Sequence, residues 1–149
     1  MGAMLYLEPA ATLDIDISVT LPTMPGSRLV SLAPIYDYLK ARGCVEEEDH
    51  MVIAGWPVQF LPPSDQLECK AVAESVQTEV DGVPTWIRSA EHLVAIALRT
   101  GRVKDRTRIL QFSDQKAVDQ KTLQRILERF GLAHVWQQFE ERYLGGTHG

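Results

Sequence analysis

Thr12-Leu13-Asp14-Ile15-Asp16-Ile17-Ser18-Val19-Thr20-Leu21 is the stretch around which this chain is organised. Leu13, Ile15, Ile17, Val19 and Leu21 alternate with Asp14, Asp16, Ser18 and Thr20. A period of two predicts a strand with one buried and one polar face. Asp14 and Asp16 then share the polar face. Aspartate is a poor strand former, and neighbouring carboxylates repel. A divalent cation between them would resolve the repulsion, since hard cations take carboxylate oxygens. A solvated outer face carrying two acids is the alternative.

The whole-chain totals narrow the function classes. With 149 residues, 45% hydrophobic and 23% charged, the chain suits one globular domain with a core of its own. Its net charge of −5 argues against general binding to a nucleic-acid backbone, which needs clustered positive charge. No apolar run approaches the length of a membrane span. The start shows no positive region followed by an apolar core, so no signal peptide is expected. Cys44 and Cys69 lack metal-ligand spacing and read as reduced structural thiols, which fits a cytoplasmic setting. No cysteine–histidine cluster of zinc type occurs.

Outward from the strand, Leu21 to Ser27 is a loop rich in Pro and Gly. A helix follows, with Leu29, Leu32, Ile35, Tyr36 and Leu39 as its apolar stripe, Ser31 as N-cap, Pro34 in the first turn and Gly43 at the end. The acidic run Glu46-Glu47-Glu48-Asp49 reads as a solvated loop. Strands are expected at 51–54 and 57–61, with Gly55-Trp56 turning between them. The second puts Gln59 on the face opposite Val58 and Phe60. A helix capped by Ser64 runs to about Val76. Asp81-Gly82 marks a hairpin between 77–80 and 83–87. Helices then cover 90–100 (capped by Ser89), 103–112, 119–130 and 132–144, and the tail from Gly145 frays. Trp56, Trp86 and Trp136 are expected to fill the core. The pattern predicts one α+β domain, residues 1–149. A small mixed sheet lies within about 1–88 and a C-terminal helical layer within about 89–144.

Two motifs carry a resemblance. Gly2-Ala3, ten residues, then Asp14-Ile15-Asp16 resembles the opening of the minimal nucleotidyltransferase superfamily. Tyr6 to Asp16 is similar to the corresponding run of bacterial AbiEii-like members. Further on, Ser89-Ala90-Glu91-His92-Leu93 and Gly101-Arg102-Val103-Lys104-Asp105 resemble the helix pair of the same group, in the same order. The resemblance implies a sheet of nucleotidyltransferase type. It also implies in-line nucleotidyl transfer from a nucleoside triphosphate, with magnesium, to an unknown hydroxyl acceptor. Asp14 and Asp16 would be the catalytic metal ligands. Gly2, Thr12, Arg99, Arg102, Lys104 and Asp105 would lie on the nucleotide side, with Gly2 in the phosphate turn.

The chain departs from the family pattern in three places. The third carboxylate of the superfamily falls at Gln59, Ala97 stands where many relatives have lysine, and the start at Gly2-Ala3 looks N-terminally truncated. The alternative function is therefore a catalytically degenerate fold serving as a binding or interaction module. A sheet lacking its first helix would expose apolar surface, which predicts a homo-oligomer. From spacing alone, Arg102 to Arg108 also reads as an exposed helix face, with Asp105 paired to Arg108. His92 reads as a core or capping histidine.

Overall fold

The computed structural model describes residues 15–21, 26 and 31–145. Gly2, Thr12 and Asp14 lie outside these residues. The chain is mixed α+β, and its described residues fall into two compact units that divide between Asp65 and Gln66.

The first unit is a four-stranded sheet with one helix. Its strands are β1 (Ile15–Ser18), β2 (Val45–Glu47), β3 (His50–Ile53) and β4 (Trp56–Leu61), in the order β1-β4-β3-β2. β1 runs parallel to β4, and the other pairs are antiparallel. The helix α1 (Ala33–Lys40) connects β1 to β2. Pro34 sits in its first turn, where its missing N–H costs nothing. Ser31 does not serve as the N-cap: Leu32 takes that position, while the Ser31 hydroxyl accepts from the Ala33 amide at 3.3 Å. Met51, Val58 and Phe60 form the buried centre, packed by Ile15, Val19, Ile35, Tyr36 and Leu39. Alternation thus places β1 and β4 as expected, with Asp16 exposed. Ile17 is the exception at 39% exposed.

β2 contradicts the solvated-loop expectation for the acidic run. Val45-Glu46-Glu47 pairs along β3 although all three residues are exposed. Glu48, at φ +53°, then turns the chain tightly into β3. Ala54 and Gly55, both at positive φ, make the next two-residue turn, so Trp56 opens β4 and is 50% exposed instead of filling the core.

The second unit contains α2 (Gln66–Ala73), the hairpin β5 (Val76–Val80) and β6 (Val83–Ile87), and four further helices. These are α3 (Ala90–Thr100), α4 (Val103–Asp114), α5 (Gln120–Arg129) and α6 (Ala133–Phe139), the last continuing as a wider π-helical turn over Glu140–Leu144. Asp81 and Gly82 both take positive φ, as the hairpin signal requires. Among the described residues β5 and β6 pair only with each other. A two-stranded ribbon has little surface to pack on, and Trp86 is 66% exposed, again against expectation. Trp136 is buried as expected.

α3 lies at the centre of this unit, against α2, α4 and α5. Its spacing buries Ala90, Val94, Ala95, Ala97 and Leu98 on a wide apolar face. Facing residues Leu67, Ile109, Phe112, Leu123, Leu127, Trp136 and Phe139 complete the core. Asp119 caps α5 by accepting from the Thr122 amide at 2.9 Å. Cys44 is half-buried and Cys69 is exposed, so Cys69 is not a packed structural thiol.

Candidate functional site

The four-stranded sheet puts Asp16 and Gln59 side by side. They are direct partners in the parallel β1–β4 ladder. The antiparallel register continues the row: Met51 faces Val58, so His50 falls opposite Gln59, and Glu47 faces His50. Directly opposed residues share a face. Asp16, Gln59, His50 and Glu47 therefore form one polar row on the side away from Met51, Val58 and Phe60.

Asp49 joins this row from the β2–β3 turn. Its Oδ2 accepts from Gln59 Nε2 at 3.0 Å, and its Oδ1 lies 3.4 Å from His50 Nδ1. An ionised carboxylate can only accept, so the nitrogen of the Gln59 amide must face it. That leaves the Gln59 carbonyl oxygen as its one metal-ligating atom. His50 Nε2 lies 3.9 Å from Glu47. Asp49 was invisible as a site residue because the contact is ten residues distant and the run around it is uniformly acidic. Only strand pairing folds the turn back over Gln59.

The donor types here suit a hard divalent cation, being carboxylate and amide oxygens. Among the described residues no three His, Cys, Asp or Glu side chains converge into a metal-holding group. Asp14, the second acid of the pair, is outside them. Of the two expected metal ligands the structure describes Asp16, and it sets Asp16 beside Gln59, the position that the resemblance assigns to a third acid.

Of the other expected residues, Arg99, Arg102, Lys104 and Asp105 gather at the α3–α4 corner of the helical unit, where local chemistry explains their types. α3 ends at Gly101, whose φ of +69° lies in the left-handed region that favours glycine. Arg102 then takes an extended backbone as the N-cap of α4. Its own amide donates to Asp105 Oδ2 at 3.2 Å, and its guanidinium grips the same carboxylate through Nε at 2.7 Å and a terminal nitrogen at 3.3 Å. A guanidinium has no acceptor, so this is the carboxylate half of a capping box, strengthened by charge. Asp105 is 3% exposed, which the helix-face reading did not anticipate, and its partner is Arg102 rather than Arg108. Arg99 bonds Glu68 on α2 at 3.0 Å. Lys104 stands exposed in the first turn of α4. Arg106 donates to the Tyr143 hydroxyl at 2.9 Å.

Burial pushes the Asp105 carboxyl up, but the Arg102 hydrogen bonds outweigh it and hold the group below its ordinary value. Stability from this pair is complete above the unfolded carboxylate value of about 3.9 and is lost as pH falls through the lower folded value. Asp105→Asn is expected to cost about 2 kcal/mol at pH 7. Thermal melts at pH 7 and pH 3 check it, because the difference between variant and wild type should shrink at the lower pH.

His92, read as core or capping, is both. It is 2% exposed, and its amide donates to the Ser89 cap at 3.3 Å. No protein-family model matches this chain, and no curated protein matches it.

Proposed function

We propose that this chain is a nucleotidyltransferase-like protein of AbiEii-like type that binds a magnesium–nucleoside triphosphate and transfers its nucleotidyl group to a hydroxyl acceptor. The observation that carries the reading is the pairing of Asp16 with Gln59 on one polar face, at the two positions where the motif expects acids. Asp14 and Asp16 would hold the cation, whose chemistry is to neutralise charge on the triphosphate. An exposed strand face leaves the Asp16 carboxylate open to such a ligand. Gly2 and Thr12 would border the phosphates. Among the cations of the second motif, Lys104 stands exposed, whereas Arg99 and Arg102 hold carboxylates of their own unit.

Gln59 favours a second reading, a degenerate member that binds nucleotide without turnover. A neutral amide cannot accept the acceptor's proton, and this one is engaged with Asp49. One experiment separates the readings. ATP, GTP, CTP and UTP are titrated into the full chain by calorimetry, with and without magnesium, and labelled nucleotide is then tested for transfer to RNA, protein and small hydroxyl acceptors. Magnesium-dependent binding is expected for at least one triphosphate. Binding without transfer selects the degenerate member, and no binding of any of the four removes both readings.

A further inference from the structure

His92 carries an unmet polar atom inside the helical unit. Its Nδ1 lies 2.8 Å from Ser89 Oγ, so one ring nitrogen is engaged at the start of α3. Its Nε2 is buried without a hydrogen-bond partner, 3.6 Å from Glu74 Oε2. Orphaned buried nitrogens are uncommon because they forfeit hydration without a replacement bond. Glu74 sits just after α2, its amide bonded to the Lys70 carbonyl at 2.9 Å and its Oε1 paired with Lys70 Nζ at 2.5 Å. Its second oxygen is the one aimed at the imidazole.

We propose that Glu74 and His92 form a proton-operated clasp joining the end of α2 to the first turn of α3. With a neutral ring the clasp is slack, since the nearest approach is beyond hydrogen-bond range. When the ring takes up a proton, both nitrogens become donors. Nδ1 then donates to Ser89, and Nε2 closes onto Glu74, which bridges Lys70 and His92. The surrounding charges set the operating range. Glu74 and Glu91 favour the imidazolium, while Lys70 on α2 and Arg88 before α3 oppose it, and Arg129 of α5 acts on Glu74. Burial is the largest influence and holds the ring below its ordinary value, so His92 is neutral at pH 7. Closing onto Glu74 offsets only part of the burial cost, so the neutral ring supports the fold fully above the unfolded value of about 6.5, and that support is lost as pH falls through the folded value even as the clasp closes. Glu74 opposes the larger effect of burial and so reduces how far acid must go before this happens.

Nuclear magnetic resonance of the His92 ring and the Glu74 carboxylate carbon, from pH 8 down to the onset of unfolding in the full chain, tests the clasp. Both signals should move with one midpoint below the ordinary histidine value. Glu74→Gln should lower the ring's midpoint by at least about 0.5, and Lys70→Gln, by freeing Glu74, should raise it by a similar amount. A midpoint unmoved by Glu74→Gln, or a Glu74 carbon silent while His92 titrates, overturns the proposal. Should Glu74→Gln fail to fold, Lys70→Gln decides alone, and an unchanged midpoint there overturns it equally.

Discussion

Replacing Asp14 and Asp16 together by Asn is expected to weaken magnesium-dependent triphosphate binding by at least about a hundredfold, since disturbing even the outer partners of a metal ligand costs 10–100-fold. Asparagine keeps the size and one acceptor oxygen but removes the charge, so each position loses its ionic attraction to the cation while the strand keeps its shape. Asp16 lies on the exposed face of β1, outside the Met51–Val58–Phe60 cluster, so folding should be little affected. Removing two repelling carboxylates should leave the melting temperature equal or slightly higher when magnesium is absent. Calorimetric titration with and without magnesium checks the affinity, and a melt checks the fold. Wild-type affinity in the double variant would remove the metal site from the reading and leave the acid pair as a solvated face.

Phe112→Ala is expected to be the most damaging single truncation to the fold. Phe112 is fully buried at 0% exposed, on α4 within the core that α3, α5 and α6 share. Deleting a buried phenyl ring loses its transfer free energy and leaves a cavity, together about 3–5 kcal/mol. Total stabilities of about 5–15 kcal/mol make that a large fraction. Denaturant unfolding followed by fluorescence checks it, since Trp136 is buried in the same core. Phe112→Leu, which keeps most of the volume, should cost far less. If both variants cost below about 1 kcal/mol, the ring is not a keystone of this core and the packing around it can collapse onto the gap.

The two units differ in how much of them the amino-acid order discloses. The helical unit is largely local in origin. Ser89, Gly101, Asp119 and Gly131 mark helix ends through caps and left-handed turns that depend on a few neighbouring residues. α5 shows the same directness: Leu123, Ile126 and Leu127 form its buried stripe at helical spacing. Asp105 marks where such reasoning stops. Arg102 and Arg108 are equally spaced from it, and the i, i+3 rule cannot choose between them. The choice falls to Arg102 because that residue begins α4, and its backbone amide, which lies outside the helix ladder, donates to Asp105.

β1 and β4 were readable from alternation alone, and so was the exposed Asp16. β2 was not, because Val45-Glu46-Glu47 has no buried face and becomes a strand only by pairing with β3. Exposed edge strands rich in charge are common for a reason that leaves no local signal: charge keeps them from pairing further. Likewise a tryptophan reads as core in any sequence, yet Trp56 opens a strand after a tight turn and Trp86 lies on a two-stranded ribbon.

By itself, then, the sequence determined the Asp14-Ile15-Asp16 alternation and the ends of α3 and α5, since each depends on periodicity or capping over a few residues. Only the tertiary structure decided that Gln59 stands beside Asp16, that Asp49 turns back to hold the Gln59 amide, and that Glu74 meets His92. Those neighbours are brought together by strand register and helix packing. Hydrogen-bond ladders and buried apolar area set these across the whole unit, and no short stretch of chain encodes them.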